Sequence, residues 1–160
     1  MLFTSFITNT GLTKLSSLST KVLFTTLKLT TIEDINMKKA IIILSDPKSG
    51  GEDALGRLFN GLAAAYDYKT NGDDVSILFQ GAGTRWTSEV TKEDHPVHAL
   101  YKAVEDKVAG VSCGCADVFG SRDDAVKNGF DLITNNAVPG TSGLPSLQKL
   151  TADGYSIMTF

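Results

Sequence analysis

The sequence predicts an α/β protein, a three-layer α/β/α sandwich around a mainly parallel sheet of five strands. Short, continuous apolar runs alternate along the chain with stretches in which apolar residues recur every three or four positions. The connections between the apolar runs are long enough for crossovers between parallel strands. With 160 residues, of which 42% are hydrophobic and 21% charged, the composition is typical of one globular domain.

Residues 1–36 differ in composition from the rest of the chain. They are rich in serine and threonine, contain only three charged residues before Glu33, all lysines, and show no sustained apolar period. Three explanations compete: an upstream start codon wrongly included, an organelle transit peptide, and a secretory signal, which fits least because lysines interrupt its apolar stretch. We expect this leader to be disordered or absent from the native protein, and the α/β domain to comprise residues 37–160.

Two strands and two helices are predicted in the first half of that domain. The apolar run at 40–44 is a central strand covered on both faces, and residues 74–80 form the second strand. Between them, a helix begins at the capping box Ser49–Glu52 and ends at Asn71-Gly72. Its predicted apolar face consists of Leu55, Leu58, Phe59, Leu62 and Tyr66. A helix after Pro96 is predicted to bury Val97, Leu100, Tyr101, Val104 and Val108.

The second half of the domain continues the alternation of strands and helices. Residues 109–112 are predicted to form the third strand, followed by a helical turn at 116–119. Ser121 and Asp124 form a second capping box, for a helix that Gly129 ends. The remaining predicted elements are a strand at 131–134, a helix between Pro145 and Gly154, and a final strand at 155–160.

Four loops follow the predicted strands and share one rim of the sheet, where ligands of parallel sheets bind. They span residues 46–51, 81–86, 113–115 and 135–145. Gly81, Gly83, Arg85 and Ser142 are the candidate ligand-binding residues for a small anion on this rim. The glycines do not complete a dinucleotide fingerprint, because Trp86 stands where the third glycine belongs. Alternatively, the glycines serve only a backbone with positive φ, and Arg85 is an exposed neighbour of a packing tryptophan.

Cys113 and Cys115 are the candidate catalytic residues. They lie where a buried strand gives way to a helix, and the peptide dipoles at a helix start favour the thiolate, which is the nucleophilic form. Cys115, nearer the helix, is the predicted reactive sulfur, with the Gly114 amide stabilising its anion. The pair is also compatible with a small, strained, redox-active disulfide, or with two buried apolar fillers.

A zinc site is a further alternative, with His95 and His98 joining the two thiolates. The C-x-C spacing is tighter than usual for zinc, and the histidines open a helix that starts from the opposite edge of the sheet. We therefore expect no metal, and interpret the histidines as cap and surface residues. The P-loop and dinucleotide motifs are also incomplete, so no cofactor is expected.

The stretch AGVSCGCADVFG at 109–120, after the opening KKAIIILSDP and the later GDDVSILFQGAG, resembles the DsrE/DsrF-like family. The resemblance covers residues 37–160 and implies a flavodoxin-like sandwich. It also implies a sulfur-relay protein that carries sulfane sulfur as a persulfide on Cys115 and forms trimers or hexamers. The resemblance to the relay members assigns no role to Cys113 or to the NNAVPGTSGLP loop at 135–145, which leaves substrate and partner open.

The expected function is a cysteine-based sulfur carrier, sulfurtransferase-like if it is an enzyme, with thiol or persulfide proteins as donor and acceptor. The alternative is a non-enzymatic anion-binding module or oligomer subunit that uses the glycine-rich rim. A net charge of −3 without clustered cations argues against nucleic acid as a partner. No apolar run is long enough for a membrane span, and two closely spaced cysteines make no secreted disulfide framework, so a cytoplasmic location is expected.

Overall fold

The computed structural model describes residues 36–160, and the interpretation of the leader therefore lies outside the described residues except at Asn36. A five-stranded sheet with the order β4-β3-β2-β1-β5 forms the centre of the domain, and every neighbouring pair of strands is parallel. The strands are β1 (Lys38–Ile43), β2 (Asp74–Phe79), β3 (Val108–Ser112), β4 (Leu132–Ile133) and β5 (Ser156–Thr159). The predicted α/β sandwich with a parallel sheet is confirmed.

Helices occupy the connections between the strands. They are α1 (Gly51–Thr70), α2 (His98–Val104), α3 (Cys113–Phe119), α4 (Arg122–Lys127) and α5 (Leu147–Ala152), with 3₁₀ helices at Gly81–Ser88 and Glu105–Lys107. The chain moves in one direction across the sheet from β1 to β4 and then returns to the far side of β1. With right-handed crossovers, this order places α1 to α4 on one face and α5 on the other. Between residues 36 and 160, none of these helices has the length and apolar character needed to cross a bilayer.

The main core lies between the sheet and α1. Ile41 and Phe79 project from their strands into this core, where Leu58 and Leu62 of α1 cover them, and all four side chains are fully buried. Burial of one such side chain contributes about 2 kcal/mol relative to exposure. Ile42 points to the opposite face and is also buried. The prediction that β1 is apolar throughout because both of its faces are covered is therefore confirmed.

Helix α1 presents a different face to the sheet from the one predicted. Leu58 and Leu62 are buried as expected, but Phe59 is 50% exposed and Tyr66 is 46% exposed. Gly61 occupies the contact instead, because a Cβ at this position would stand 2.5 Å from Cδ1 of Ile43. The helix lies so close to the end of β1 that only glycine fits at position 61, while Leu58 and Leu62 fill the core beside it.

Both predicted capping boxes are wrong. Ser49 donates its hydroxyl to Asp46 at 2.8 Å, and the N-cap of α1 is Gly50, which has no side-chain cap. Ser121 is the N-cap residue of α4, but its hydroxyl donates to Oγ1 of Thr84 at 2.8 Å. In each case another side chain accepts the hydrogen bond that the spacing assigned to the helix start: Asp46, three residues before Ser49, and Thr84, far from Ser121 in sequence.

Candidate functional site

The cysteine pair lies at the carboxyl end of the sheet, directly after β3. The strands β3 and β4 are neighbours in the sheet, but the chain leaves β3 towards α3 on one face and leaves β4 towards α5 on the other. Cys113 immediately follows β3, so both cysteines lie on the rim that the loop order predicted.

Helix α3 begins three residues earlier than predicted, and it includes both cysteines in its first turn. The residue that starts it is Ser112, whose hydroxyl accepts a hydrogen bond from the backbone N–H of Cys115 at 3.4 Å. Serine is a favoured N-cap, and an N-cap side chain commonly bonds the third helical amide. The cap signal was therefore present in the sequence, one residue before the cysteines.

The two cysteines differ sharply in their access to solvent. Both are free thiols, but Cys113 is buried at 1% exposure, whereas Cys115 is partly exposed. Two residues apart on a helix, their side chains lie about 200° apart around the helix axis and do not face each other. The disulfide considered from the sequence cannot form while this turn is helical, because disulfide geometry requires Cβ atoms that approach each other.

Gly114 serves a contact between segments rather than an open anion site. Its amide donates to the carbonyl of Gly143 at 2.7 Å. A Cβ at Gly114 would stand 3.1 Å from that carbonyl and 3.2 Å from Cβ of Thr141. The predicted role of this amide in stabilising a Cys115 anion is therefore wrong for this conformation, because the Gly114 N–H already donates to the carbonyl of Gly143.

Ser142 is hydrogen-bonded to α3 through the carboxylate of Asp117. Its hydroxyl donates to Oδ2 of Asp117, and Nη1 of Arg122 donates to Oδ1 of the same residue at 2.7 Å. These bonds, from Ser142 first and Arg122 second, lower the pKa of Asp117. The hydrogen bond to Asp117 raises the pKa of Arg122, and the nearby Cys113 acts in the same direction.

Asp117 and Arg122 were not among the site residues predicted from the sequence. Asp117 lies four residues after Cys113, which places the two side chains on one face of α3. The four-residue spacing could have been read from the sequence, but with the helix predicted to start at residue 116, Cys113 and Asp117 were not placed on the same helix. The structure thus brings Cys113, Asp117, Arg122 and Ser142 together on one face of α3 and leaves Cys115 on another.

Arg85 lies on another part of the rim, and its guanidinium is hydrogen-bonded to Asp46 and Phe119. Its Nη1 donates to Oδ2 of Asp46 at 2.9 Å, its Nε donates to the Phe119 carbonyl at 3.1 Å, and its guanidinium carbon lies 5.4 Å from the centre of the Phe119 ring. Burial raises the pKa of Asp46, but hydrogen bonds from Lys48, Ser49 and Arg85 outweigh this effect and lower the pKa. Arg85 therefore connects the end of β1 to α3.

The glycines beside Arg85 are required by the backbone. Gly81 has φ +58°, a left-handed conformation that favours glycine. A Cβ at Gly83 would stand 2.2 Å from the carbonyl oxygen of Ile43, so this loop lies directly against the end of β1. Gly81 thus matches the positive-φ alternative considered for the loop, whereas Gly83 is required by its close approach to β1.

A cleft of about 390 Å³ opens beside Arg85, between the start of α1, the 3₁₀ helix at Gly81–Ser88 and the start of α4. Its walls carry charges of both signs, and neither cysteine lines it. The charged residues around it are Lys48, Arg85, Glu89 and Asp124. The predicted rim residues thus form two separate groups, one at this cleft and one at α3.

The histidines lie apart from the thiols. His95 packs edge-on against Trp86, with ring centres 5.9 Å apart, and burial lowers its pKa. Nδ1 of His98 lies 2.9 Å from the carbonyl of Val90. Within residues 36–160, no group of three or more His, Cys, Asp or Glu side chains is arranged to hold a metal ion.

A family model agrees with the resemblance noted in the sequence. The profile of the DsrE/DsrF-like family matches residues 37–160. An uncharacterized protein of Methanocaldococcus jannaschii is 28% identical over 97 residues, which cover 61% of this chain and 74% of that protein. No solved structure gives a significant match to the chain.

Proposed function

Because the chain belongs to the DsrE/DsrF-like family, we propose that it is a sulfur-relay protein that carries sulfane sulfur as a persulfide on Cys115. Family membership supports a role related to sulfur relay. The observation that carries the assignment to Cys115 is its accessibility: its side chain is partly exposed in the first turn of α3, whereas Cys113 is buried. A nucleophile that exchanges sulfur with other proteins must be reached by their thiols.

The proposed reaction moves one sulfur atom without net oxidation. The Cys115 thiolate attacks the terminal sulfur of a donor persulfide; a new S–S bond forms at Cys115 as the donor's S–S bond breaks, and the donor leaves as a thiolate. An acceptor thiolate then attacks the terminal sulfur on Cys115 and releases Cys115 as a thiolate.

The proposed partners are thiol or persulfide proteins that load and unload Cys115. We further propose a homo-oligomer, a trimer or hexamer, with a cytoplasmic location. A cytoplasmic location suits this chemistry, since reducing conditions keep thiols available for exchange. In this role the protein is a sulfurtransferase-like carrier, and its turnover depends on both partners.

Incubation with a small persulfide donor, followed by intact mass spectrometry, tests the proposal. The wild type should gain the mass of one sulfur atom, and a thiol reductant should remove it. Cys115→Ala should gain nothing, whereas the matched variant Cys113→Ala should load as the wild type does. Absence of added mass in the wild type, or addition that survives Cys115→Ala, would overturn the assignment.

The anion-binding alternative receives no support from Arg85, since its guanidinium already pairs with Asp46 at 2.9 Å. Gly81 and Gly83 are explained by backbone conformation and close approach. Ser142 is bonded to Asp117 on α3, and does not lie with Arg85 at the cleft.

A further inference from the structure

The relay proposed for Cys115 has an internal competitor in Cys113. A Cys113 thiolate that attacked Sγ of a Cys115 persulfide would form the Cys113–Cys115 disulfide, break the bond to the terminal sulfur and release hydrosulfide. The carried sulfur would then be lost before an acceptor arrived. Within the helical first turn of α3, this attack is prevented because the two side chains point to different sides of the helix. The attack requires that turn to unwind.

Three hydrogen bonds join α3 to neighbouring parts of the chain, at residues 122, 142 and 143. The backbone of Gly114, between the two cysteines, donates to Gly143 at 2.7 Å. One residue earlier in the same segment, Ser142 donates to Asp117. Arg122 pairs with the other oxygen of Asp117 at 2.7 Å. Residues 142 and 143 are therefore bonded to α3 at two points, Asp117 and the backbone between the two cysteines.

We propose that Asp117 is a positioning residue of the relay: with Ser142 it fastens residues 141–143 across α3, keeps the first turn helical and so holds Cys113 away from Cys115. This inference rests on the proposed function, because a carried persulfide is what the separation protects. The charged side chains of this arrangement are Asp117 on α3 and Arg122 on α4, which pair with each other. The neighbouring residues 141–143 contribute no charge.

The rate of disulfide formation between the two cysteines measures how often the first turn opens. Full-length protein with both thiols reduced is treated with the thiol oxidant diamide, which accepts the two electrons and two protons that the thiols lose. Formation of the intramolecular disulfide is followed as loss of alkylatable thiol and loss of two hydrogens in the intact mass. No persulfide is present, so the outcome does not depend on whether the relay operates.

Asp117→Asn and Ser142→Ala should each speed disulfide formation about fivefold or more, which corresponds to loss of one net hydrogen bond from the closed form. Asp123→Asn, a neighbouring acid on α4, is the charge-matched control, and Ser156→Ala on β5 is the hydroxyl-matched control. Both should form the disulfide at the wild-type rate. Cys113→Ser should form none.

A second readout links this separation to the relay. After loading with the persulfide donor, Asp117→Asn should release hydrosulfide faster than the wild type, and the additional Cys113→Ser substitution should restore slow release. A loss of thermal stability alone would not respond to Cys113→Ser in this way. Wild-type rates of disulfide formation in both Asp117→Asn and Ser142→Ala would overturn the inference. If loading itself fails while the diamide rates rise, the relay is wrong and the separation of the thiols stands.

Discussion

The two ends of the sheet's rim use similar residues for different purposes. At the ends of β1 and β2, the charged and glycine residues serve the fold: Arg85 pairs with Asp46, and Gly83 lies against the carbonyl of Ile43. At the ends of β3 and β4, Cys115 is partly exposed, while the neighbouring Gly114 is hydrogen-bonded to Gly143. A residue type suited to ligand binding is informative only once its internal partners are known.

The largest expected effect is a loss of protein stability when the loop at the ends of β1 and β2 is altered. Gly83→Ala should lower the free energy of unfolding by about 3 kcal/mol, since the added Cβ collides with backbone that cannot move away without disturbing β1. Chemical denaturation measures the change. Gly56→Ala is the matched control, because nothing lies within 4 Å of a Cβ at that helical position, and it should stabilise the protein slightly. Equal effects of the two substitutions would show that the loop does not press on β1 as described.

A smaller effect is expected when the ion pair at the first end is broken. Arg85→Ala should lower the free energy of unfolding by about 1 kcal/mol and leave sulfur loading of Cys115 at the wild-type level. A double-mutant cycle with Asp46→Ala isolates the pair, and intact mass spectrometry measures loading. If Arg85→Ala instead abolished loading without affecting stability, the division between the two ends would be wrong.

The smallest effect concerns acid sensitivity at the second end. Hydrogen bonds from Ser142 and Arg122 lower the pKa of Asp117 below its ordinary value of 3.8. Its stabilising contribution is therefore complete above that ordinary value and is lost as the pH falls through the lowered one. The stability difference between wild type and Asp117→Asn should persist at neutral pH and shrink as the pH falls below about 3.8. Denaturation curves at several pH values measure it, and a difference that grew on acidification would contradict the bonding assigned to Asp117.

Much of the fold followed from the sequence because its strongest signals are local. The apolar run of β1 and the stop at Asn71-Gly72 were predicted correctly. The capping errors arose because other side chains accept from the two serine hydroxyls: Asp46, preceding Ser49 in the same loop, and Thr84, which only the tertiary structure brings to Ser121. The sheet order also depends on non-local pairing and was not available from the sequence.

The candidate site was predictable in position but not in detail. Strand and loop order placed the cysteines on the rim. The difference between Cys113 and Cys115 depends on the helix beginning at residue 113 and on the 141–143 segment crossing it. Ser112 was a readable signal for the first of these facts. Nothing in the sequence indicated the second, since the bond between Gly114 and Gly143 joins residues distant in the chain.

The most direct measurement is the position of the carried sulfur. Wild-type protein loaded with a small persulfide donor is alkylated, digested and sequenced by fragment mass spectrometry across residues 109–120. The account predicts the extra sulfur on Cys115, with Cys113 present as an unmodified thiol. Sulfur on Cys113, or on neither residue, would contradict the claim that the accessible thiol of α3 is the carrier.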